Sequence, residues 1–389
     1  MKWLSLAFVV ALLALASATL LVVALLGALS LTAAENNFES SLDELHRDLY
    51  HEFAKVHRNQ NFVFSPLAVQ MALGILRSCM ADESESAKEL DIRARFRPRT
   101  VQQINSDFNR FLSQSIGDES LKIINKLYVN DKSSNEPYYE LTPSADFVKF
   151  VASTSDMNRW LKSQVANLDG QLNAVIFNSI IYNAAWTSPF QKRNTEKNKF
   201  YLHDNGHVLT NIMQHDLTTF EYADLGCLGL NAEAVKLEYS GSDISMLIIL
   251  PKTYDGLPQL EHKLQFTTIA DIKNDLEHRP ILVNLPKFSI KIEEDMIPIL
   301  KSLSIQRIFE DAQLTHLRQG AGKVWIEKFI HKTAIHVDED GTIANSTHVG
   351  IAPGEDEILS FNAIHPFYFA ITNSEDAVMF AGHVVNPLL

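Results

Sequence analysis

The chain has 389 residues, 46% of them hydrophobic, with 15 glycines and 13 prolines, enough apolar material for a large core and too little punctuation for a disordered chain. No internal repeat runs through it, which excludes a solenoid. A formal net charge of −13 argues against a general nucleic-acid surface.

Lys2 precedes an almost unbroken apolar run from Trp3 to Leu31, and polar sequence begins at Glu35. That is the pattern of a secretory signal, with cleavage expected after Ala34, which removes the whole run, or after Ala18. The run is also long enough to span a bilayer, so an uncleaved anchor is the rival reading. Residues 35–389 then form one domain, expected to be secreted, extracellular and monomeric, and off the membrane once the signal is removed.

From Phe38 the residues Leu42, Leu45, Leu49 and Phe53 recur at helical spacing. A short strand, Asn61 to Phe64, leads into Ser65-Pro66, a serine N-cap followed by proline at the first helical position. The helix after it is apolar almost all round through Leu76 and should be buried. Arg93, Arg95, Arg97 and Arg99 form the one basic cluster, read as a solvated face rather than a site for a heparin-like glycan. A more polar helix follows over Val101 to Ser115.

Strands dominate thereafter. Ile123 to Val129 is one, and Ala174 to Tyr182 is nearly continuously apolar, as for a strand covered on both faces. A helix over Asp156 to Val165 lies between them. Further strands read at Val235–Tyr239, Ile244–Leu250, Ile281–Ile292, Val324–Val337, Phe367–Thr372 and Val378–Val385. Helices early and long strands late make an α+β chain. Between Val337 and Phe367 lies a long stretch without helical periodicity, the kind of loop that carries function.

The search for chemistry returns little. Cys79 and Cys227 are the only cysteines, too few for a zinc site or a disulfide framework, and two isolated buried thiols are expected, a single bridge being the alternative. There is no G-x-S-x-G, no Walker loop and no G-x-G-x-x-G. His51-Glu52 begins like a zinc-protease helix, but the second histidine would have to stand at Lys55, and His57 is off that face. No catalytic residue, metal or cofactor is expected.

The long loop and its flanks are specific. HKTAIHVDEDGTIA, from His331 to Ala344, resembles the last central strand and hinge of the serpins. FNAIHPFYFAI, Phe361 to Ile371, resembles the segment that ends their reactive loop, and FAGHVVNP, Phe380 to Pro387, their terminal strand. NFVFSPLAVQMALGIL, Asn61 to Leu76, looks like their buried helix and NSIIYNAAW, Asn178 to Trp186, like the central strand of their main sheet. AVKLEYSGSDISMLIILP, Ala234 to Pro251, and LPKFSIKIEEDM, Leu285 to Met296, fill the middle in the right order.

The resemblance implies a five-stranded main sheet, further sheets, about eight helices and an exposed reactive loop over about 341–360. It implies a suicide substrate for an extracellular serine protease, whose cut loop inserts into the sheet as a new strand. Carried over residue by residue, Glu339, Gly341, Thr342 and Ala344 form the hinge. Lys287 faces Glu339 as a latch, and Trp186 packs at the sheet opening. Ser65, Asn178 and His331 form a polar cluster beneath the middle of the sheet. An exposed Lys287–Glu339 pair would contribute little. The family spacing from Gly341 places the scissile bond at Glu355-Asp356, which suits an acid-specific protease.

The chain also departs from the family. Thr342, Ala344 and Ser346 would point inward on insertion and are small, but His348 shares that face. Asn345-Ser346-Thr347 is an N-glycosylation sequon on the segment that must insert. The stretches Val129–Phe147 and Trp160–Asn178 look short, and the buried helix ends in Ser78-Cys79-Met80 where glycine-containing sequence is usual. The alternative is therefore a non-inhibitory serpin, a binding, carrier or signalling protein or a protease substrate, with an impaired hinge.

Overall fold

A computed structural model describes residues 38–115, 121–129, 138–140, 149–151, 174–204, 206–315, 323–341 and 359–389. The signal segment, the helix expected at Asp156–Val165 and the loop residues Thr342, Ala344, Asn345, Ser346, His348, Glu355 and Asp356 lie outside them.

The first helix, α1 (Phe38–Val56), buries Leu42, Leu45, Leu49 and Phe53, the stripe its spacing announces. β1 (Phe62–Phe64) follows, and α2 (Pro66–Ser78) begins where expected, with the Ser65 hydroxyl accepting the Ala68 N–H. Every residue of α2 from Pro66 to Arg77 is buried, because the helix packs against strands of both large sheets. α3 (Glu85–Arg93) and α4 (Val101–Ser115) complete the helical layer. The four arginines are not a uniform solvated face. Arg95 pairs with Asp48 at 2.6 Å and Glu44 at 3.3 Å, and Arg99 with Asp107 at 3.2 Å.

β2 (Leu121–Val129), β3 (Tyr138–Glu140), β4 (Lys149–Val151) and β5 (Ala174–Tyr182) come next. They are followed by β6 (Glu196–Tyr201), β7 (His207–Gln214), β8 (Thr218–Asp224), β9 (Ala232–Glu238) and β10 (Ser245–Pro251). Two short helices, α5 (Leu257–Leu264) and α6 (Ile269–Asn274), precede β11 (Glu277–Pro286) and β12 (Phe288–Asp295). After α7 (Ile297–Ser302) the chain finishes with β13 (Lys328–Val337), β14 (Leu359–Asn362), β15 (Phe367–Thr372) and β16 (Val378–Val384). Among the described residues this makes seven α-helices.

One sheet runs β1-β16-β15-β10-β9-β8-β11-β7-β6, with β14 parallel to β11. The second runs β12-β13-β5-β2, which among the described residues gives four of the five strands expected for the main sheet. Its two central strands, β13 and β5, are parallel neighbours, from Lys328 opposite Val175 to Ala334 opposite Ile181. Both outer pairings are antiparallel.

Two strand readings need correction. Ile281–Ile292 is not one strand, because the chain passes from one sheet to the other at Lys287: its N–H still bonds Asn211 O in register with β7, and the next residue, Phe288, already pairs with Val337 of β13. The strand expected from Val324 starts at Lys328, since Val324 O and Ile326 N are engaged by Ala312 and Ile308. The thiol reading also fails in part. Both cysteines are free, but only Cys79 is buried, while Cys227 is exposed with its Sγ 2.9 Å from Asp275 Oδ2.

Candidate functional site

At the end of β13 the chain reverses in a tight turn. Asp338 and Gly341 exchange backbone hydrogen bonds, and the Asp338 carboxylate accepts the Asp340 N–H at 3.0 Å. Gly341 has φ +99°, and a Cβ there would stand 2.5 Å from Trp186 N and 2.7 Å from Ala184 O. Only glycine fits, for conformation and for space. The turn is pinned from behind by Trp186, whose indole N–H donates to Asp338 O at 3.0 Å and whose ring stacks on Tyr239 at 4.5 Å. Phe190 N–H adds a bond to Glu339 O.

Glu339 itself points inward and is 3% exposed. Its carboxylate pairs with the Lys287 ammonium and accepts the Thr195 hydroxyl at 2.7 Å. Burial pushes the carboxyl up, but the bonds from Lys287 and Thr195 outweigh it and hold Glu339 below its ordinary value. The carboxylate half of the pair is buried and the Lys287 side chain is half-buried, so this is not the exposed pair that would contribute little. Removing Lys287 leaves a buried carboxylate with the Thr195 hydroxyl as its remaining side-chain partner, a loss on the order of 2–3 kcal/mol for a pair that is buried on one side only. Its geometry depends on the break between β11 and β12, which sets Lys287 on the bend between the two sheets.

The second cluster sits under the centre of the four-stranded sheet. Ser65 N–H donates to His331 Nε2 at 3.0 Å. With Nε2 an acceptor, Nδ1 carries the proton and donates to Asn178 Oδ1. The Asn178 amide donates in turn to Ala68 O at 2.7 Å and to Asn125 Oδ1. Burial drives His331 down to about 3, consistent with a neutral ring. Thr333, one strand-face position along from His331, donates to Val63 O at 2.7 Å. The cluster therefore ties β2, β5 and β13 to the start of α2.

Ser65, Asn178 and His331 are thus brought together, as are Lys287, Glu339, Gly341 and Trp186 at the other end of β13. Asn125, Thr333, Thr195 and Tyr239 were missed. A polar residue on an otherwise apolar strand face, as Asn125 is in step with Leu121, Ile123, Leu127 and Val129, was a usable sign. Thr195 lies after the short 3-10 turn Lys192–Asn194, and nothing local marks it. Among the described residues no group of three or more His, Cys, Asp or Glu side chains could hold a metal ion.

A family model for Serpin (serine protease inhibitor) matches residues 40–387, and the chain belongs to the serpin family. Alaserpin of Manduca sexta is 28% identical over 386 residues, spanning 92% of this chain and 95% of that protein. Serine protease inhibitor 42Dd of Drosophila melanogaster is 26% identical, over 88% of this chain and 95% of that protein. Among solved structures, cleaved Serpin 42Da superposes with a TM-score of 0.74 at 26% identity, covering 90% of this chain and 98% of the other. Uncleaved ovalbumin, at 20% identity, shares the fold with a TM-score of 0.74 over 90% of this chain and all of the other. Serpins are inhibitors rather than enzymes, and the family has inhibitory and non-inhibitory members.

Proposed function

We propose that this chain is a secreted serpin that inhibits an extracellular serine endopeptidase as a suicide substrate. The observation that carries the reading is the parallel seam between β13 and β5, closed along its length. The chain leaves β13 through a turn held by Lys287, Glu339 and Trp186. A segment running back from Gly341 between those strands would be antiparallel to both. It would replace one parallel seam by two antiparallel ones, the pairing that is slightly more stable per residue. The protease serine oxygen attacks the Glu355 carbonyl, an ester forms, and the Asp356 amine leaves with the proton. Insertion of the freed arm then carries the acyl-linked enzyme away from its working geometry.

The run Pro353-Gly354-Glu355-Asp356-Glu357 favours a protease with a basic specificity pocket. A trypsin-like pocket already holds a buried aspartate, and a second carboxylate beside it is strongly unfavourable. His348 and the Asn345 sequon favour the second reading, a serpin that is cut without trapping its enzyme. Thermal unfolding of the secreted chain before and after cleavage by a glutamate-specific serine protease separates the two. A large rise in melting temperature is expected, and an unchanged one would leave only the non-inhibitory reading.

A further inference from the structure

A cleft of about 290 Å³ opens between α1, α5 and the chain near His203 and Tyr254. None of its lining belongs to the turn after β13 or to the cluster around His331. That volume is at the lower end of small-molecule sites, which run from ~300 to 1,000 Å³. Ala54, Leu257, Pro258, Pro366 and Val385 supply apolar wall. Tyr254, 51% exposed, stands at the mouth with its ring stacked on Tyr201 at 4.7 Å.

The charges around this cleft are not equivalent. Glu261 is committed to the interior: its Oε1 accepts the Tyr50 hydroxyl at 2.8 Å and lies 2.6 Å from His383 Nδ1, while His383 Nε2 meets Gln60 O at 2.9 Å. Lys55 spends one of its donors on Glu52 at 2.6 Å. Arg58 is exposed and makes no ion pair among the described residues. His51, His203 and His262 add ring nitrogens to the same lining, and exposed Asp255 is the one opposing carboxylate left uncommitted.

We propose that this cleft binds a small amphipathic carboxylate, its apolar body against Leu257, Pro258, Pro366 and Val385 and its carboxylate on Arg58. A guanidinium meets a carboxylate through two parallel N–H bonds, and Lys55 beside it repels a cationic head group. The apolar wall supplies affinity and the single uncommitted guanidinium supplies orientation. The site stands whether or not the loop inhibits a protease.

Calorimetric titration of the full secreted chain with decanoate, and with decan-1-ol as its uncharged counterpart, tests this. Decanoate should bind saturably and more tightly than decan-1-ol. Arg58→Glu should weaken decanoate about 10-fold or more, the loss of a charge-assisted hydrogen bond. Tyr254→Ala should weaken both compounds. Arg58 and Tyr254 are surface residues, and an unchanged thermal unfolding curve establishes that each variant is folded. Absence of saturable binding to the parent overturns the site. So does binding that survives both substitutions, and equal affinity for decan-1-ol overturns the anionic assignment.

Discussion

Glu339 keeps its charge with almost none of its surface in water because Lys287 and Thr195 replace the lost hydration. Glu339→Lys sets two ammonium groups where an ion pair stood, with the new one at a position that is 3% exposed. The top of β13 should then separate from its neighbours, at a cost on the order of 2–3 kcal/mol. Incubation on gentle warming followed by size-exclusion chromatography should show polymers that the parent does not form. A variant as monomeric as the parent would show that this pair does not hold the sheet closed. His331 makes an independent prediction, in pH. Its folded value, about 3, lies below the unfolded 6.5, so below pH 6.5 the opened chain takes a proton that the closed cluster refuses. Stability present above pH 6.5 is therefore lost as pH falls towards 3, by about 2 kcal/mol at pH 5. Glu339, held below 4.5, begins to lose its charge only at more acid pH. His365, lowered to about 4 by burial, adds to the trend, and His57, raised by its bond to Glu294, opposes it. Denaturant midpoints at pH 7 and pH 5 should fall more steeply for the parent than for His331→Gln, and parallel lines would assign the titration elsewhere.

At the scale of elements, the turn joining β13 to the loop combines a left-handed glycine with close backbone approach. Gly341→Ala meets both obstacles at once, since its Cβ would fall 2.5 Å from Trp186 N with φ at +99°. Backbone strain of this kind costs about 1–3 kcal/mol, and neither contacting backbone atom belongs to a movable side-chain tip. The variant should melt at lower temperature and show altered Trp186 fluorescence, because the indole hydrogen-bonds the same turn. Unchanged melting and emission would mean that the turn rearranges freely. α2 illustrates the opposite case, an element legible from local sequence alone. Ser65 caps it, Pro66 starts it, and its all-round apolar surface announces burial between layers. β11 and β12 read as one strand because apolar residues recur along the whole stretch, but the alternation changes phase at Pro286-Lys287, with Ile281, Val283 and Leu285 buried before it and Phe288 and Ile290 after it, and each half joins a different sheet.

For the whole molecule, the proposed trap requires the segment after Gly341 to slide between β13 and β5. A glycan on Asn345 would have to pass between packed strands, which interiors at close-packed density do not allow. If Asn345 is glycosylated, Asn345→Gln should increase the gain in melting temperature on loop cleavage and reveal a denaturant-stable protease complex absent from the glycosylated parent. A glycosylated parent with the same gain as the variant would show that the sugar does not block insertion. The apolar periodicities of α1 and α2, the continuous run of β5 and the motifs near the C-terminus determined the class of fold by themselves, because helix and strand patterns are written in neighbouring residues. The burial of Glu339, the exposure of Cys227 and the membership of Asn125 in the His331 cluster were decided only by tertiary structure. Ser65 and His331 are 266 residues apart, and Asn125 and Asn178 are 53 apart. Whether a polar group is solvated, paired or buried depends on what the chain brings against it from that distance, and no local pattern encodes it.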